Sequence, residues 1–228
     1  MASYSITTMP IRVIIFDFDG TIANTSPLIF TSFNAVAQKY LGKTFSSQEI
    51  ITLYGPTEDQ IIAQLVKPEE RDTAIAEFYK VYSNNPQLVE RFAGIKQFFL
   101  QAQHQGIILG IFTGKGRRTC LINLEQLGYA SYFSHIITGD EITRIKPHPE
   151  GIQQILAATA AKPEETLFIG DSVADMKSGH AAGVKTGAAL WDPYYDKRIL
   201  EMQPDYIFNS ITELNQILNS KSEIRNNI

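Results

Sequence analysis

The chain has 228 residues, 44% hydrophobic and 19% charged, a size and balance that suit one domain or a core domain carrying a smaller inserted one and exclude a disordered tail. A net charge of −4 and a pI near 5.6 exclude a general electrostatic pull toward nucleic acid or an anionic membrane, so neither is expected as a partner. Cys120 is the single cysteine, which excludes an intramolecular disulfide and a thiolate metal cluster.

From the start, Met1 to Pro10 lacks a basic segment followed by a long apolar core, so it does not read as a secretory signal. No apolar run approaches the roughly 20 residues needed to cross a bilayer, and a reducing cytoplasm is the expected location. Ile11 to Phe16 is β-branched and almost continuously apolar, as expected of a central parallel strand buried on both faces. From about Thr25 to Arg91 no strand stands out. The helical patterns there are Leu28 to Tyr40, Ser47 to Leu53, Glu58 to Leu65 and Glu69 to Tyr82, with a capping start at Ser46-Ser47-Gln48-Glu49.

After this stretch, short apolar runs alternate with helical-period segments. Strands are expected at Ile107 to Phe112, Ser134 to Ile137, Thr166 to Ile169, Val184 to Ala188 and Tyr206 to Phe208. Helices are expected at Gly94 to Gln103, Arg117 to Leu127, Glu150 to Ala160, Ser172 to Ala182 and Ile211 to Leu218, with Gly106, Gly128 and Gly183 just past three of them. The polar end, Asn219 to Ile228, is expected to fray. The fold class is therefore α/β: a Rossmann-like parallel sheet core with a small all-helical domain inserted after the first strand. The core comprises residues 1–22 together with 92–228, and the insertion residues 23–91.

In an open α/β sheet, loops at the carboxyl ends of the strands build the active site. The first strand ends in Asp17 and Asp19, and the second in Thr113-Gly114-Lys115. The weaker run near Ile136 leads, after a turn region, to Lys146-Pro147, and Ile169 leads to Gly170-Asp171-Ser172-Val173-Ala174-Asp175. Asp17 and Asp171 offer the hard oxygen ligands that suit Mg²⁺. Lys146 and the Thr113 hydroxyl can neutralise and hydrogen-bond phosphoryl oxygens. A carboxylate approaching a phosphate dianion otherwise meets repulsion on the order of several kcal/mol at about 4 Å in a partly screened site. Asp19 is placed to protonate a leaving oxygen and later deprotonate a water. Taken singly, each residue also has a plain reading: the aspartates as caps, Asp171 as cap of the helix near Ser172, and Thr21 as cap of the turn after Gly20.

Asp17-Phe18-Asp19-Gly20-Thr21, Thr113, Lys146-Pro147 and Gly170-Asp171-Ser172 with Asp175, in that order, resemble the four motifs of the haloacid dehalogenase superfamily. The resemblance implies that Asp17 forms an aspartyl-phosphate, that Asp19 is the general acid/base, and that Thr113, Gly114 and Lys146 bind the phosphate. It implies Mg²⁺ on Asp17, the backbone carbonyl of Asp19, and Asp171, with Asp175 behind them orienting a water on the metal or Lys146. It also implies a cis bond at Lys146-Pro147, and casts the insertion as the family's small cap, which excludes water from the site. Lys146-Pro147-His148-Pro149-Glu150, Trp191 and Pro204-Asp205-Tyr206 match the phosphoglycolate phosphatase group, which also holds pyrophosphatases and β-phosphoglucomutases. The expected partner is thus a small phosphorylated metabolite, and the expected assembly a monomer or homodimer.

A sugar-phosphate mutase shares these core residues. A receiver-like phospho-acceptor module is half this length and carries its aspartate on a middle strand. Asp19 argues against dehalogenation, and none of Lys39, Lys43 or Lys67 stands out as the Schiff-base lysine of a phosphonate hydrolase. Cys120 reads as a buried structural thiol, and the four histidines show no metal spacing. Tyr54-Gly55-Pro56-Thr57-Glu58 falls where a cap reads substrate, and reads equally as an interhelical turn. Lys115, Arg117 and Arg118 read equally as anion-steering charges and as the exposed start of a helix.

Overall fold

Four apolar residues in succession can be buried together only if both faces of their strand are covered, and this is the case for Val13–Phe16. The computed structural model describes residues 11–218, so the expectations for Met1–Pro10 and Asn219–Ile228 lie outside the described residues. In chain order the strands are β1 (Val13–Phe16), β2 (Ala23–Asn24), β3 (Glu90–Arg91), β4 (Ile108–Phe112), β5 (His135–Ile137), β6 (Thr166–Gly170), β7 (Lys185–Ala189) and β8 (Tyr206–Phe208). The helices are α1 (Ser26–Val36), α2 (Ser47–Ile51), α3 (Glu58–Leu65), α4 (Arg71–Asn84), α5 (Ile95–His104), α6 (Arg117–Leu127), α7 (Glu150–Thr159), α8 (Val173–Ala182) and α9 (Ile211–Leu214).

Six strands form one parallel sheet in the order β5-β4-β1-β6-β7-β8. β1 lies between β4 and β6, so the polar residues after these three strands emerge side by side at one edge. Side chains alternate across the sheet. Ile14 and Phe16 enter one apolar cluster with Phe98 and Phe99 of α5, whereas Val13 and Ile15 enter another with Phe112, Ile155 and Phe168. Phe16 packs edge-to-face on both α5 rings at 5.9 and 5.6 Å between centroids. Burying each such ring contributes about 1.5–3 kcal/mol.

The stretch between β1 and α5 has a hydrophobic cluster of its own. Leu28, Phe33 and Val36 of α1 pack with Ile62 of α3 and with Phe78 and Tyr82 of α4, and the Phe33 and Phe78 rings are 5.0 Å apart. The capping box expected at Ser46 and Glu49 is present at the start of α2. One strand pairing was not legible in the sequence. β2 and β3 form a two-residue antiparallel ladder, Ala23 opposite Arg91 and Asn24 opposite Glu90, which ties together the two ends of the helical stretch. Two residues are too few to carry a strand period. α1 also continues past its expected regular course through a π-helical turn, Ala37–Leu41, that ends at the left-handed Gly42.

Candidate active site

The backbone of Asp17 continues the β1–β6 ladder, its N–H donating to the Ile169 carbonyl at 2.8 Å. This directs the side chain over the carboxyl edge of the sheet, where the residue as a whole is 9% exposed. Lys146 arrives from the loop between β5 and α7, through a cis Lys146–Pro147 bond. Its Nζ lies 3.0 Å from Asp17 Oδ1 and 2.6 Å from Asp175 Oδ1. The first contact is an ion pair without hydrogen-bond alignment, which leaves Asp17 Oδ1 buried with no aligned donor.

Asp171 follows β6. The left-handed turn at Gly20 (φ 74°) brings the motif loop so close to it that a Cβ on Gly20 would meet Asp171 Oδ2 at 2.4 Å. Thr21, expected as a turn cap, instead extends its hydroxyl to Asp171 Oδ1 at 3.5 Å, and the Trp191 indole N–H holds the Thr21 carbonyl at 3.2 Å. The helix-cap reading of Asp171 is also replaced. Ser172 is the N-cap of α8, and the acid that completes its capping box is Asp175, whose Oδ2 accepts from Ser172 N and Oγ at 3.0 and 2.5 Å. Both oxygens of Asp175 are thereby committed, one to the helix start and one to Lys146. Gly170 leaves the room for this, since a Cβ there would lie 2.4 Å from Asp175 Cγ.

Oxygens of Asp17, Asp171 and Asp175 lie within 4.8 Å of one another, and no histidine joins them. Burial first, then the neighbouring charges of Asp175 and Asp19, lift the Asp17 carboxyl to about 6 against the pull of Lys146. Burial, then the neighbouring Asp175 and Asp17, hold Asp171 well above the ordinary carboxylate range. Lys146 is held above its usual value by Asp17 and Asp175, which outweigh the burial that opposes its charge. Three acids thus face one ammonium. A hard divalent cation fits this donor set: it would relieve the repulsion, take the unaligned oxygen of Asp17, and find Asp171 free of the commitments that tie up Asp175.

Asp19 lies beside this cluster. It accepts from Lys115 Nζ at 3.0 and 3.3 Å and from the Thr25 hydroxyl. Of the two equal readings of Lys115, the exposed start of a helix is overturned: its side chain is fully buried, also 3.4 Å from Glu58 of α3. Arg117 and Arg118 do fit a surface reading. Arg117 pairs with Glu141 at 2.8 Å, and Arg118 stacks 3.7 Å from the Tyr79 ring centroid. Thr113 is buried at the end of β4, its Oγ1 accepting from Lys115 N at 3.3 Å, with Gly114 next to it. Among the insertion's lysines, Lys39 is paired with Glu77 at 2.6 Å and thereby held above its usual value, the opposite of what a Schiff-base lysine needs. Cys120 is buried and its thiol pushed up to about 12 by that burial, as a structural cysteine would be.

A cavity of about 740 Å³ joins these groups. Asp17, Asp19, Thr113, Gly114, Lys146 and Asp171 line its floor, and Ile29, Phe33, Ile51, Tyr54 and Ile61 of the helical stretch line an apolar wall. The Tyr54–Glu58 segment faces this cavity. Sequence reasoning missed Asp192, a buried carboxylate on the loop after β7 that also lines the cavity and is raised by its burial. No motif marks it; only its position beyond the strand end, next to Trp191, could have drawn attention to it.

The sequence matches the family model for haloacid dehalogenase-like hydrolases over residues 14–189. It is 31% identical over 212 residues to the pyrophosphatase PpaX of Bacillus mycoides, covering 92% of this chain and 98% of that protein. Among solved structures it superimposes on a predicted phosphoglycolate phosphatase from Haemophilus somnus with a TM-score of 0.82 at 24% identity, over 91% of this chain and 97% of that one. It also superimposes on CbbY from Rhodobacter sphaeroides, solved in complex with phosphate, with a TM-score of 0.80 at 21% identity over 92% and 99% of the two chains. These two likenesses speak for the fold, while the family match and the PpaX relationship carry the assignment: the chain is an enzyme that belongs to the haloacid dehalogenase-like hydrolases.

Proposed function

We propose that this chain is an Mg²⁺-dependent phosphatase that hydrolyses a small, phosphoglycolate-like phosphomonoester through an aspartyl-phosphate on Asp17. The observation that carries this reading is the position of Asp17. It is buried at the end of the central strand, 3.0 Å from Lys146, beside Asp171, on the floor of the cavity. When bound, Mg²⁺ would be held by Asp17, Asp171 and the backbone carbonyl of Asp19, and supplies positive charge that offsets the charge on the phosphoryl group.

An Asp17 carboxylate oxygen attacks phosphorus, and the bond to the leaving oxygen breaks as Asp19 gives that oxygen a proton. Lys146, the Thr113 hydroxyl and the Gly114 backbone hold the phosphoryl oxygens. Asp19, now a base, takes a proton from water, which attacks the aspartyl-phosphate and releases inorganic phosphate with Asp17 restored. Asp175 keeps Lys146 aimed at Asp17 and anchors it to the start of α8. Residues 23–91 act as a cap whose apolar wall excludes bulk water during these steps. A cytoplasmic location, a small phosphorylated metabolite as partner, and a monomer or homodimer as assembly accompany this reading.

Pyrophosphate is a second candidate substrate, supported by the name and 31% identity of the Bacillus mycoides relative. Phosphate release from a panel of phosphomonoesters and pyrophosphate tests both. Activity should require Mg²⁺, vanish in chelator, and not return with Ca²⁺, whose looser coordination suits in-line attack poorly. Full turnover in chelator would overturn the metal assignment.

A further inference from the structure

We propose that Lys115 is a positioning residue for Asp19, and that Glu58 makes this positioning depend on the helical stretch being docked against the sheet edge. The proposal rests on the phosphatase reading above. Lys115 lies on the turn between β4 and α6, in the core, whereas Glu58 is the first residue of α3. The Lys115 ammonium touches both carboxylates, Asp19 at 3.0 Å and Glu58 at 3.4 Å, and has no exposed surface. The Tyr82 and Phe18 rings flank it, their centroids 5.3 and 5.9 Å from Nζ.

Glu58 is itself fastened to the core. Its Oε2 accepts from Gly116 N at 2.8 Å and its Oε1 from the Thr119 hydroxyl at 2.8 Å, both at the start of α6. A second tie runs parallel to it, the Tyr82 hydroxyl of α4 donating to Asn123 Oδ1 of α6. A buried ammonium is stable only with partners that replace its hydration. With α3 docked, Glu58 and the aromatic faces seal Lys115 from water and fix it against Asp19. With α3 withdrawn, Glu58 leaves, water enters, and a solvated lysine on a four-carbon stem no longer fixes the direction of the Asp19 carboxylate. Asp19 is therefore aligned for proton transfer only while the cavity is closed, which ties proton transfer to the exclusion of bulk water.

The test compares kcat/KM for benzyl phosphate and 4-nitrophenyl phosphate in the wild-type chain, Glu58→Gln and Lys115→Met. Benzyl alkoxide needs a proton as it leaves, whereas 4-nitrophenolate departs unaided. Because kcat/KM ends at the first irreversible step, the later role of Asp19 as a base on water does not enter it. Glu58→Gln should lower the benzyl phosphate value about tenfold and Lys115→Met about 100-fold, with losses of about threefold or less for 4-nitrophenyl phosphate. The double variant should lose no more than the worse single one, because the two residues act as one unit. Equal losses on both substrates in folded variants would overturn the proposal and leave the phosphatase reading standing. A wild-type chain that releases phosphate from neither ester, from no other phosphomonoester of the panel and not from pyrophosphate would overturn both. Should Lys115→Met fail to fold, the volume-preserving Glu58→Gln decides alone.

Discussion

Two buried lysines sit at the carboxyl edge of this sheet, and each lies between two carboxylates. Lys146 is held by Asp17 and Asp175, both from the α/β core, so its surroundings are complete within one packing unit. Lys115 is held by Asp19 from the core and Glu58 from the helical stretch, so its surroundings exist only where the two meet. The same chemical device thus fixes the position of a charge permanently in one place and conditionally in the other. Desolvation accounts for the difference, since a lysine whose seal can withdraw regains water and loses its fixed geometry.

The largest effect should come from Asp17→Asn, which keeps the volume and removes the proposed nucleophile. Turnover measured by phosphate release should fall by about 10⁴ or more while circular dichroism stays unchanged. Substantial residual activity in the purified, metal-loaded variant would sink the mechanism and with it the meaning given to Lys146. Next, Lys146→Met should lower kcat/KM by about 10²–10³, and by similar factors for benzyl and 4-nitrophenyl phosphate, because phosphoryl oxygens are the same in both. A leaving-group dependence like that of Lys115→Met would erase the distinction between the two lysines.

A pH experiment isolates the crowded acids around Lys146. Because burial lifts the folded Asp17 from its ordinary 3.8 to about 6, the folded chain binds more protons than the unfolded one in that interval. Its contribution to stability is therefore lost as pH rises from about 4 to about 6 in the metal-free protein. Mg²⁺ competes with those protons, so the rise in Tm on adding it should be larger at pH 7 than at pH 5 by scanning fluorimetry. An equal rise at both values would argue against Asp17 as a ligand.

Gly20→Ala should cost about 1–3 kcal/mol of stability and weaken Mg²⁺ binding, since the added carbon lies 2.4 Å from Asp171 Oδ2 in a left-handed turn. Unchanged metal affinity by calorimetry would separate the turn from the ion site. Arg117→Ala should do least. Its ion pair with Glu141 is exposed, so kcat/KM should stay within about twofold and stability within about 0.5 kcal/mol. A large rate loss would revive anion steering by this helix start.

The sequence alone determined the sheet, its central strand and the four polar strand ends. Unbroken apolar runs such as Ile11 to Phe16 require burial on both faces, and parallel strands deliver their carboxyl ends to one edge. Asp17, Thr113 and Asp171 were legible because each stands in a local motif at such an end, and Lys146 because it precedes Pro147 in the loop that follows one. Only the tertiary structure decided that Asp175 serves a helix cap and Lys146 together, that Thr21 supports Asp171, and that Asp192 lines the cavity. The sharpest case is Lys115. Between Gly114 and Gly116, before two arginines, it carries the local pattern of an exposed helix start. Its burial comes from Glu58 and Tyr82 of the helical stretch, and local periodicity holds no information about which distant surface will exclude water from a side chain.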